Sequence, residues 1–73
     1  MTEINIRTEF IKLDSLLKLS GVAETGGDAK LMIQHEMIKV NGEICTMRGK
    51  KLRHGDIVTV ISENIELVIK SAN

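Results

Sequence analysis

The side chains best suited to chemistry in this chain are cations, and they are bunched. Lys39, Arg48, Lys50, Lys51 and Arg53 fall between Lys39 and Gly55 with Glu43 as the one acid among them, a local excess of four positive charges. The remainder carries five basic and nine acidic residues, so the formal net charge is zero while the sequence is a charge dipole. The cluster is tightest in Arg48-Gly49-Lys50-Lys51-Leu52-Arg53-His54. Ammonium and guanidinium groups set so closely can neutralise a phosphate backbone, and they gain affinity by releasing its counterions. Other chemistries have little to work with. His35 and His54 lie far apart, no base is spaced to activate the single cysteine, Cys45, and the carboxylates are scattered. No metal-ligand spacing, phosphate-cradling loop or nucleophile elbow can be read. The expectation is a binding module, not an enzyme, with no cofactor, no metal and no small-molecule substrate.

Composition narrows the partner. At 73 residues the chain has room for one domain, spanning 1–73, and none for a deep walled pocket. Phe10 is the only aromatic residue, so the core must be built from Leu, Ile, Val and Met. Without Tyr or Trp, base stacking of the kind used by single-strand binders is not expected. Recognition should rest on shape and backbone charge instead. The lone Cys45 cannot form an internal disulfide, which suits a reducing compartment. Residues 1–12 lack the apolar stretch of a signal peptide, and no run is long enough to span a bilayer. A cytoplasmic monomer with no membrane contact is expected.

The elements that must position the cations can be read from spacing. Ile4, Ile6, Phe10 and Ile11 suggest a leading extended segment over 1–11. Lys12 to Ser20 reads as a helix, with Leu13, Leu16 and Leu17 on one face and Asp14 as a first-turn charge. Gly21 supplies its stop. A second helix begins at Thr25, an N-cap followed three residues on by Asp28. Ala29, Met32 and Ile33 repeat the helical spacing, and Gln34-His35-Glu36 close it. Gly26-Gly27 reads as a flexible start to that helix. Met37 to Val40 and Glu43 to Cys45 form a hairpin about Asn41-Gly42, the strongest turn signal in the chain. Ile57 to Ile61 and Ile65 to Ile69 complete a sheet. The fold class is α+β: two short helices packed on a small, bent antiparallel sheet.

Four of these pieces, in this order, carry a resemblance. They are Lys12-Leu13-Asp14-Ser15-Leu16-Leu17, the Thr25-led helix with Ala29 and Leu31-Met32-Ile33, Ile38-Lys39-Val40-Asn41-Gly42, and Gly55-Asp56-Ile57-Val58-Thr59-Val60. Together they resemble the S4 RNA-binding domain over a core of about 12–61. Arg48 to Leu52 and Gly26-Gly27 look like the short stand-alone bacterial S4 proteins of the YaaA/YbcJ type. The resemblance implies an αL motif, in which two helices and the adjacent hairpin dock on structured RNA, commonly ribosomal. It carries Lys12, Thr25, Lys39, Asn41 and Gly42 onto that face. Gly26 stands where the family commonly has Arg, and Glu36 where a Gly usually ends the second helix.

The expected RNA-binding set is therefore Lys12, Thr25, Lys30, Lys39, Asn41, Gly42, Arg48, Lys50, Lys51 and Arg53, with structured RNA, rRNA or the ribosome as partner. Net neutrality and the missing Arg at Gly26 keep an alternative open. This is a protein-interaction module that retains the S4-like frame with weak or no RNA binding.

Overall fold

A computed structural model describes residues 1–72. Helix α1 (Leu13–Leu19) buries Leu13, Leu16 and Leu17, the predicted stripe. It begins one residue later than the spacing suggests, because Lys12 stays extended as its N-cap and makes no side-chain capping bond. The bare N–H groups of its first turn are met from elsewhere in the chain. Leu13 donates to the Lys50 carbonyl at 2.9 Å and Asp14 to the Arg48 carbonyl at 3.1 Å. The helix ends as expected at Gly21, whose φ of 83° only glycine adopts freely.

Helix α2 (Gly26–Gln34) is capped by Thr25, whose hydroxyl accepts the Asp28 N–H at 3.1 Å. Ala29 and Ile33 face inward. Its exit is a Schellman turn: Glu36 donates to Ile33 O at 3.2 Å and Met37 to Met32 O at 3.1 Å. Glu36 accordingly has φ 59°, so the backbone keeps the left-handed geometry although the residue has a Cβ. The cost of holding a non-glycine there is about 1–2 kcal/mol.

Behind the helices lies a five-stranded sheet in the order β1-β7-β6-β3-β4. Its members are β1 (Thr2–Ile6), β3 (Ile38–Val40), β4 (Glu43–Ile44), β6 (Ile57–Val60) and β7 (Ile65–Ser71). A separate two-stranded ribbon pairs β2 (Ile11–Lys12) with β5 (Lys51–Leu52). Alternation sets the inner face: Ile38, Val40, Val58, Val60, Leu67 and Ile69 are buried, with helices above them. The core is wholly aliphatic, and no polar or charged side chain is buried among the described residues.

Three expectations need correction. The sheet is mixed, since β1 pairs in parallel with β7 while the other ladders are antiparallel. Strand direction is not written in local alternation, and β1 finds its partner at the opposite end of the chain. The leading segment is also two strands. The polar run Arg7-Thr8-Glu9 bends the chain, so Ile4 and Ile6 join the large sheet while Phe10 and Ile11 leave it. Ile61, expected in a strand, opens a 3-10 turn over Ile61–Glu63 that reverses through Asn64 at φ 53°.

Candidate nucleic-acid interface

Leu52 is the one buried side chain in the basic segment. Leu52 is fully buried and anchors β5 to the core, so its neighbours in the strand must point outward. The ribbon register sets Ile11 opposite Leu52 and Lys12 opposite Lys51. Lys12 and Lys51 thus share the exposed face of the ribbon. Like charges directly across a ladder repel.

Extending the register by one residue puts Phe10 opposite Arg53 on that same face. The ring lies 4.8 Å from Lys51 Nζ and 5.7 Å from the Arg53 guanidinium carbon, within the range of cation–π attraction. In the sequence Phe10 stands out only as a member of the leading segment and the sole aromatic. Its i, i+2 relation to Lys12 would have placed it beside that lysine had the strand break after Ile6 been foreseen.

Arg48 and Lys50 occupy the turn that feeds β5. Both are exposed, and both lend their carbonyls to the start of α1. Lys50 also borders a recess of about 360 Å³ with Val40, Asn41, Glu43, Ile44, Cys45 and Met47, which joins the hairpin to the basic turn. Lys12, Arg48, Lys50, Lys51 and Arg53 are therefore gathered on one ribbon and its turn, all exposed.

The other expected residues fall elsewhere. Lys39 lies half-buried on the outer sheet face, between Thr59 and Ile44 in register. Lys30 is exposed on α2, and the Thr25 hydroxyl is occupied in capping. Asn41 and Gly42, at φ 51° and 87°, form a turn with both central residues left-handed, which suits a tight hairpin.

The Asn41 side chain reaches Asp56. Its Nδ2 donates to Asp56 Oδ1 at 3.2 Å, its Oδ1 accepts the Ile57 N–H at 2.9 Å, and Asp56 Oδ2 accepts the Arg53 N–H at 2.8 Å. The Asn-Gly and Gly-Asp motifs therefore clasp one another, and through Asp56 they fix the end of the basic segment. Among the described residues, no three His, Cys, Asp or Glu side chains gather as a metal site, and no helix is long and apolar enough to cross a membrane.

This arrangement of two helices, a motif-clasped hairpin and a closing strand has counterparts. The S4 domain family matches residues 4–68. The chain belongs to the S4 domain family. The protein named "Probable ribosome maturation protein RlbA" from Bacillus subtilis (strain 168) is 42% identical over 57 residues, covering 78% of this chain and 80% of that protein. "Putative RNA-binding protein YbcJ" from Escherichia coli (strain K12) is 33% identical over 58 residues, covering 80% of this chain and 83% of YbcJ. The small ribosomal subunit protein uS4 of Coxiella burnetii (strain RSA 493 / Nine Mile phase I) is 35% identical over 51 residues, which cover 70% of this chain but 25% of uS4. Against uS4 the S4 unit is thus a part of a longer protein, while RlbA and YbcJ match over most of their length.

Proposed function

We propose that this protein binds structured RNA, ribosomal or ribosome-associated, through the outer face of the β2–β5 ribbon and the turn before it. The observation that carries the reading is the register of Lys12 against Lys51, with Arg53, Lys50 and Arg48 beside them. Setting like charges in direct opposition costs the free protein stability. A polyanion across both ammonium groups removes that cost and releases its own counterions. The names of RlbA, YbcJ and uS4, which speak of ribosome maturation, RNA binding and the small ribosomal subunit, support the same partner class.

Within this reading Lys12, Lys50, Lys51, Arg48 and Arg53 contact phosphates. Lys30 and Lys39 are outlying cations that touch RNA only if it extends across α2 or the outer sheet face. Thr25, Asn41 and Gly42 serve by shaping the backbone. The protein acts as a cytoplasmic, monomeric binding module and catalyses no reaction. The cations of the ribbon and its turn replace the one absent at Gly26.

Charge reversal tests the proposal. Replacing Lys50, Lys51 and Arg53 together by Glu should abolish binding to ribosomal RNA fragments at low salt, as read by fluorescence anisotropy. The variant should keep its fold, because all three side chains are exposed. For the unaltered protein, log affinity should fall linearly with log salt concentration, with a slope of about −0.9 for each duplex phosphate contacted. Undiminished binding by the triple variant would overturn the proposal.

A further inference from the structure

The single aromatic side chain of this protein is not in its core. Phe10 is half-buried and lies outside the aliphatic cluster, although that cluster has no other ring to draw on. Its ring meets Lys51 and Arg53, at 4.8 and 5.7 Å. The backbones on both sides of this contact are held. The Phe10 carbonyl accepts the Thr8 hydroxyl at 2.7 Å, and Arg53 exchanges bonds with Asp56 through both its N–H, at 2.8 Å, and its carbonyl, at 3.0 Å. Leu52, buried between the two cations in sequence, fixes the strand from below.

We infer that Phe10 is a positioning residue for RNA binding: its ring holds the Lys51 and Arg53 side chains over one face of the β2–β5 ribbon, ready for phosphate. This rests on the RNA-binding reading above and adds to it a residue that carries no charge. Long cationic side chains lose rotamer freedom on binding. A ring that already restrains two of them reduces that loss and leaves the number of neutralised phosphates unchanged. With cations on the ring, Phe10 is a support for the charges and not a stacking platform for a base.

The experiment compares Phe10→Leu, which keeps apolar bulk, and Phe10→Tyr, which keeps the ring, with the unaltered protein. The probe is a fluorescein-labelled ribosomal RNA fragment titrated at several salt concentrations. Phe10→Leu should bind about two- to fivefold more weakly, the loss expected for an exposed cation–π contact. Its slope against log salt should be unchanged, and Phe10→Tyr should restore affinity.

NMR of the free protein gives a readout without RNA. The Lys51 Hε and Arg53 Hδ protons should show ring-current shifts in the parent and in Phe10→Tyr, and lose them in Phe10→Leu. Parental affinity in Phe10→Leu, an altered salt slope, or unshifted protons in the parent would each overturn the inference while RNA binding stands. A parent that binds no fragment at low salt would overturn the RNA-binding reading and this inference with it.

Discussion

At the hairpin end of the domain, Asn41 and Asp56 turn their side-chain oxygens and amide onto each other and onto the N–H groups of Ile57 and Arg53. On the β2–β5 ribbon, the exposed residues Lys12 and Lys51 stand side by side, with the Lys51 ammonium 4.8 Å from the Phe10 ring centroid. Both regions are polar, and both lie at the surface. The first consumes its hydrogen-bonding capacity inside the protein and fixes where the chain turns. The second sets two like charges in opposition, at some expense to the free molecule, and among the described residues only the Phe10 ring meets the Lys51 ammonium. Surface polarity alone does not separate scaffold from the proposed binding face. Whether the polar atoms are already satisfied does.

The contrast can be broken most strongly from below the ribbon. Leu52 joins the exposed cations to the core, being fully buried between them in sequence. Leu52→Ala should cost about 2–5 kcal/mol in denaturant unfolding, the range for truncating a buried leucine. RNA affinity should fall as well, because the strand that aims Lys51 and Arg53 loses its anchor. A loss under about 1 kcal/mol would show that the ribbon is held by its backbone bonds to α1 and not by this side chain.

A cut at the junction should separate stability from binding. Asp56→Ala removes acceptors for the Asn41 amide and the Arg53 N–H, and hydrogen bonds to a charged group are worth about 1.5–3 kcal/mol. Thermal unfolding should show a loss of that size. The salt slope of RNA binding should not change, since no cation has been removed. A shallower slope would place Asp56 in the electrostatics of the binding face, and the division between the two regions would fail.

How much of this was legible follows the same division. The helices were visible because their signals are local: Leu13, Leu16 and Leu17 at helical spacing, Thr25 before Asp28, Gly21 after the last turn. The hairpin was visible because Asn-Gly determines its own backbone. The parallel β1–β7 pairing was not, since it joins the two ends of the chain and no local pattern reports a partner so distant. The ribbon was hidden for a related reason. Two-residue strands are too short to show alternation, and the helices, the hairpin and the turn all lie between Lys12 and Lys51 in the chain. The basic residues could be counted in the sequence, but the clasp that joins the Asn41 side chain to Asp56 and Ile57, and the ring that meets two of the cations, exist only in the folded chain.

The smallest effect has the most informative sign. Lys12 and Lys51 are directly opposed, like charges in that position destabilise a ladder, and cross-strand pairs act on a scale of roughly 0.2–1 kcal/mol. Lys12→Gln retains most of the stem and removes the repulsion, so the free protein should become more stable by an amount within that range. The same change removes one phosphate partner, so RNA affinity should fall and the salt slope should become shallower by about 0.9 for a duplex contact. At the junction every truncation should lose stability, whereas at the ribbon this one should gain stability while losing function. A residue evolved only for folding has no reason to oppose another lysine there. If Lys12→Gln is instead less stable and binds RNA with an unchanged slope, Lys12 belongs with Asn41 and Asp56 among the scaffold residues. The binding face would then contract to Arg48, Lys50, Lys51 and Arg53.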